Sequence, residues 1–86
     1  MSDTPAKPVL SQYGSGFYII QIQGEVERHW EYELRLQLSY CETEFGTIST
    51  FSGYLPDQAA LLGALQWLSM WGYVIVLVKY VPREIE

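Results

Sequence analysis

The stretch 56–72, PDQAALLGALQWLSMWG, followed by 73–81, YVIVLVKYV, decides the fold. Between Asp57 and Lys79 it holds no charged residue. It is therefore either a membrane span or a helix and a strand that share one core. The composition changes at Gly72, from Ala and Leu before it to Val and Ile after it. Pro56 suits a first helical position, where its missing N–H costs nothing. Asp57 puts negative charge where the helix dipole favours it, and Gly72 suits a left-handed stop. Such a helix is about 22 Å long, the length of a strand of about seven residues. Leu61, Ala64, Leu65 and Leu68 recur at helical spacing and form the stripe that lies on a sheet. In the strand that follows, Val74, Val76 and Val78 point one way and Tyr73, Ile75 and Leu77 the other. Apolar on both sides, it asks for cover on both sides.

The competing reading takes 59–78 as a membrane span, since twenty residues with little polarity pass the length test. It places Trp67 and Trp71 near mid-bilayer, whereas tryptophan prefers the interfaces. It also deprives the strands upstream of a partner, so a membrane is disfavoured.

Three strands are expected before the helix. Residues 17–23 (FYIIQIQ) put Tyr18, Ile20 and Ile22 on one face and Phe17, Ile19, Gln21 and Gln23 on the other. Residues 32–40 alternate Tyr32, Leu34, Leu36, Leu38 and Tyr40 with Glu33, Arg35, Gln37 and Ser39, a period of two that predicts one long strand with one buried face. After a turn at 41–46, residues 47–54 (TISTFSGY) are rich in β-branched and aromatic types. Gly53 there suggests a bulge or a strand end. The chain is thus predicted as α+β, in the order β-β-β-α-β. Three strands form an antiparallel meander and a helix crossover leads to the fourth. The resulting four-stranded mixed sheet has order 4-1-2-3, with one helix on one face. Residues 17–82 form the single domain, 1–16 a tail or extended arm marked by Pro5, Pro8, Gly14 and Gly16, and 83–86 a short C-terminal tail.

With 86 residues, the chain is near the lower size limit for a self-sufficient core. Apolar residues make up 49% and charged residues 17%, against roughly 25% charged in an average protein. A small domain with scarce charge and abundant apolar surface points to self-association, a dimer first. The net charge of −5 and the scattered Lys7, Arg28, Arg35, Lys79 and Arg83 provide no stripe for a phosphate backbone, which excludes nucleic acid as a partner. The single Cys41 forms no intramolecular disulfide and fits a reducing cytoplasm. No secretory or lipidation pattern is visible.

Chemistry-bearing residues are few. His29 is the only histidine and sits in EVERHWEYE, where an extended backbone would align it with Glu25, Glu27, Glu31 and Glu33. A metal site ordinarily gathers ligands from separated segments, so this reads as a charged edge that resists strand pairing, and no metal or cofactor is expected. Cys41 lacks an orienting partner for nucleophilic work. GSG at 14–16 precedes a strand, whereas a phosphate loop follows one and opens a helix. No catalytic residue is assigned. Trp67, Met70 and Trp71 are the candidate interface, because Trp67 and Met70 lie towards the outer or lateral helix face and Trp and Met are types enriched at interfaces. The alternative is a broad stripe buried within the molecule, with Trp71 folded under the helix end.

Together, GYLPDQAALLGALQWLSMWGYVIVLVKYV (53–81) and YIIQIQGEVERHW (18–30) resemble a group of small uncharacterised bacterial proteins. That group shares a strand ending in Gly, an HW- or RW-type element, a Pro-Asp-Gln-Ala-Ala-Leu helix start and a terminal strand. The resemblance covers about two-thirds of the chain and implies no activity. Its pattern has charged residues around the positions of Trp67, Ser69 and Met70 and histidine at that of Leu62, so the helix face of this chain looks specialised for apolar contact.

The expected function is a non-catalytic interaction or scaffolding module that self-associates through an apolar helix or sheet face. The alternative is a small-ligand binder or minor enzyme. Its aromatic-lined pocket would be formed by His29, Trp30, Tyr32 and Tyr40 with Tyr18 and Trp71, and His29 would supply the polar contact.

Overall fold

The computed structural model describes residues 16–82. The tail expected over 83–86, and all but Gly16 of the arm expected over 1–16, lie outside the described residues. Six elements follow in order: β1 (Gly16–Gln23), α1 (His29–Leu34), β2 (Gln37–Thr43), β3 (Gly46–Leu55), α2 (Gln58–Met70) and β4 (Ile75–Pro82). The fold is α+β, with a four-stranded sheet of order β2-β3-β1-β4.

Every pair of neighbouring strands is antiparallel, so the sheet is not mixed and its order is not 4-1-2-3. The fourth strand does lie beside the first. The second does not, because residues 32–40 are not one strand. Residues 29–34 form a helical turn and a half instead, and the chain re-enters the sheet only at Gln37. This detour carries β2 past β1, and the hairpin partner β3 takes the place next to β1. Because β1 runs against both β3 and β4, those two are parallel to each other with β1 between them. Crossover α2 therefore returns the chain in its original direction, two places along on the far side of β1.

Alternation sorts the sheet into two faces. On the helix side, Leu38, Phe51, Ile20 and Val78 line up across the four strands, as do Tyr40, Ser49, Ile22 and Ile75 in the next row. Leu61, Ala64 and Leu68 of α2 and Trp30 of α1 close over these rows to form one core. The long alternation read over 32–40 delivers only Leu36 and Leu38 to that core; Leu34 is half-buried, and Tyr32 and Tyr40 are exposed. Gly53 is neither a bulge nor a strand end. It pairs with Tyr18 in mid-strand, and a Cβ there would meet Leu36 Cδ2 at 2.9 Å. The glycine makes room for Leu36 to cross β3.

Helix α2 starts at Gln58, two residues later than the Pro56 expected at its first position. Asp57 is the N-cap, its carboxylate accepting from Ala60 N–H at 2.9 Å, and Pro56 lies just outside. The stop is as expected. Gly72 has φ +86°, with Gly72 N–H donating to Ser69 O and Tyr73 N–H to Leu68 O. This paired closure leaves Leu68 and Tyr73 packed on the core. The segment 59–78 is thereby divided between a helix and a strand, and no helix among the described residues is long and apolar enough to cross a membrane.

Candidate functional site

The segment between β1 and β2 is held by hydrogen bonds rather than by regular pairing. Gly24, with φ +98°, turns the chain out of β1. Ser49, fully buried on β3, then donates to Gly24 O at 2.6 Å and accepts from Val26 N–H at 2.9 Å. Tyr40 O–H donates to Val26 O at 2.6 Å. Val26 is thereby held over the sheet with both backbone polar groups satisfied.

Glu31 fixes α1. Its Oε2 accepts from Leu38 N–H at 3.0 Å and its Oε1 from Arg28 Nη1 at 3.1 Å, while Arg28 also donates to Leu38 O at 3.1 Å. The hydrogen bond from the Leu38 backbone, followed by the one from Arg28, holds the Glu31 carboxyl below its ordinary pKa. The guanidinium lies 5.1 Å from the Tyr40 ring centroid. Arg35 ends α1 in the left-handed region at φ 58°.

These restraints set Trp30 under the end of α2. Trp30 is buried, with the rings of Trp67, Trp71 and Tyr73 edge-on to it at 5.9, 5.6 and 6.3 Å. Two of the three candidate interface residues therefore have an intramolecular task. Each still presents much of its ring to solvent, Trp67 being 49% and Trp71 62% exposed. Met70, 76% exposed, points away from the core.

The four proposed pocket residues do not converge. His29 is exposed, its Nδ1 3.3 Å from Glu27 Oε1 and its ring stacked near Trp30. Tyr32 points to solvent from α1, 86% exposed, and Tyr40 is engaged with Val26. A cleft of about 420 Å³ does lie between α1 and α2, lined by Leu34, Tyr54, Pro56, Gly63 and Trp67 among others, but His29 and Trp30 are not in its wall. Because residues 25–34 are a loop and a helix, the row of Glu25, Glu27, His29, Glu31 and Glu33 expected of an extended chain does not form. Among the described residues no three His, Cys, Asp or Glu side chains are grouped as a metal would require. Cys41 is exposed on the helix-free side of the sheet, away from His29.

The residue pattern grouped Trp30 with Trp71, which are in contact, but marked neither the contacts of Trp30 with Trp67 and Tyr73 nor the roles of Glu31 and Ser49. The one local signal was the i, i+4 spacing of Trp30 and Leu34, which competed with the longer alternation that followed it.

Fold and site together define a small α+β domain whose densest side-chain chemistry is aromatic packing between two helices. The chain belongs to the family described as Domain of unknown function (DUF8691), whose model matches residues 17–79, from the start of β1 into β4. No curated protein and no solved structure matches the chain.

Proposed function

We propose that this protein is a soluble, cytoplasmic, non-catalytic interaction module that self-associates as a homodimer, one of the small bacterial proteins with a Pro-Asp-Gln-Ala-Ala-Leu helix start. One observation carries the reading. Large apolar side chains remain exposed in a contiguous part of the chain, at Trp67, Met70 and Trp71 of the α2 end and at Val74, Val76, Leu77, Val78 and Val81 of β4. Fully burying each such side chain is worth roughly 1.5–3 kcal/mol, so an apolar surface of this extent favours a partner.

Sedimentation equilibrium of the full chain tests the proposal. A concentration-dependent mass of twice the monomer is expected, and a monomer at high concentration overturns it. Met70→Glu reports separately on the helix end, since it adds charge where the side chain touches no core residue.

A further inference from the structure

The two edges of the sheet are built differently. Edge β2 is guarded by charge: Glu42 and Glu44 lie at its turn, and the Glu-rich segment 25–33 lies on its side of the domain. Edge β4 has no strand beside it among the described residues, and Lys79 is its only charged residue. It runs for eight residues, with exposed apolar side chains on both faces, Val78 and Tyr80 on the helix side and Leu77 and Val81 on the other. An edge of this kind is a template for another strand.

The hydrogen bonds of β1 show which groups that edge offers. Gln23 N–H donates to Val74 O of the β4 side, while Gly24 N–H donates to Thr47 O of the β3 side. Along β1 the odd-numbered residues thus face β4, which makes Gln21–Leu77 and Ile19–Lys79 the hydrogen-bonded pairs of that ladder. Val78, between Leu77 and Lys79, turns its N–H and C=O to the outside.

We propose that β4 pairs antiparallel with β4 of a second copy, about a two-fold axis at Val78, to give one continuous eight-stranded sheet. The inference rests on the self-association proposed above and names its seam. Three features select a second copy as the occupant. First, centring on Val78 lets the two Val78 residues exchange both backbone hydrogen bonds and sets the regular stretch Leu77–Lys79 of one copy against that of the other, with the bulge at Val76 falling outside it. This register sets Lys79 against the partner's Leu77, whereas centring one residue later would set lysine against lysine, which is destabilising. Second, two copies of a chain with net charge −5 repel each other wherever their carboxylates meet, and β4 is the edge that keeps the carboxylates of β2 and the 25–33 segment apart. Third, the seam covers apolar side chains on both faces of the edge, Val78 and Tyr80 on the helix side and Leu77 and Val81 on the other, together with the unpaired backbone groups.

The open face agrees with this seam. It is polar towards β2, with Ser39, Thr50 and Gln21 in one row, and apolar towards β4, where Phe17, Ile19, Leu77 and Val81 adjoin. Apolar surface is concentrated at the edge that would be covered.

Two measurements on the full chain test the proposal. In sedimentation equilibrium, Val78→Pro removes an N–H that points away from β1 and leaves the β1–β4 hydrogen bonds in place. It is expected to raise the dissociation constant about thirtyfold, for two net hydrogen bonds lost across the symmetric seam, while Met70→Glu leaves the mass dimeric. In hydrogen exchange of the unmodified protein, the Val78 amide is expected to be protected at concentrations where the dimer dominates and to lose protection on dilution to monomer. A dimer that survives Val78→Pro but dissociates with Met70→Glu overturns the β4 seam and leaves self-association standing. A Val78 amide that exchanges freely in the dimer overturns the seam as well. Protection that persists in the monomer means that another part of this chain, such as residues 1–15, covers the edge, and that too overturns it. A monomeric unmodified protein at every concentration removes the underlying reading.

Discussion

Ser49 is the polar side chain that the described core buries completely, and both of its hydrogen bonds reach across to residues 24 and 26. Replacing it with alanine leaves Val26 N–H buried without an acceptor. The expected cost is about 1–3 kcal/mol, read as a lower urea midpoint with an unchanged denaturant slope. Glu31 supports a prediction of a different kind. Its folded pKa lies below the ordinary value of 4.5, so the stabilisation from its ionised form is complete above that value and is lost as pH falls through the depressed one. Glu31→Gln should therefore lower stability near neutral pH and flatten the acid limb of the stability profile, measured by urea unfolding across acid pH. The side chain is 35% exposed and its Arg28 partner 58%, so the effect is small and screened by salt. Neither role was legible in the sequence. Alternation groups Ser49 with Phe51 but does not say which face is buried, its partner Val26 is 23 positions away, and nothing in the local pattern marks a carboxylate that will reach over to a strand.

At the scale of elements, the helix and the strands over 17–23 and 47–54 were legible from local pattern, and that over 73–81 from its Val and Ile content. The alternation of this last strand was not legible, because β4 carries an extra residue at Val76 that puts Ile75 and Val78 on the same face. Its two faces are also left open rather than covered. The failure at 32–40 has a specific cause. Leu34, Leu36 and Leu38 satisfy a period of two, yet Leu34 belongs to α1 and the other two to the segment after it, and the change occurs at Arg35. A left-handed residue is ordinarily glycine, and arginine gave no sign of it. Arg35 and Gly72 therefore make a matched pair of helix stops. Arg35→Gly removes the steric cost of φ 58° and should stabilise the fold by about 0.5–1 kcal/mol. Gly72→Ala should destabilise by about 1 kcal/mol, and this cost lies in the backbone alone, since a Cβ there meets nothing within 4 Å. Thermal melts that move in opposite directions check both. The order of the sheet followed from the same detour. With 32–40 read as one strand, the meander placed β2 next to β1; with α1 interposed, β3 takes that place.

Across the described residues, charge and apolar surface are segregated. The carboxylates of the 25–33 segment and of the β2–β3 turn lie towards one edge, and the exposed valines and leucines of β4 lie along the other. This arrangement predicts how self-association responds to salt. An interface held by ion pairs weakens as ionic strength rises. A seam of backbone hydrogen bonds and apolar side chains between two copies of charge −5 strengthens, because salt screens only the repulsion. The screening length falls from about 30 Å at 0.01 M to about 8 Å at 0.15 M, and carboxylates gathered away from the seam pass beyond it. The dimer dissociation constant should therefore fall severalfold between those two salt concentrations and change little above the higher one. Sedimentation equilibrium across a sodium chloride series measures it. A dissociation constant that rises with salt would mean that opposite charges are paired at the interface, and would move the contact from β4 to the surface around Arg28 and Arg35, where the described chain has basic and acidic groups close together.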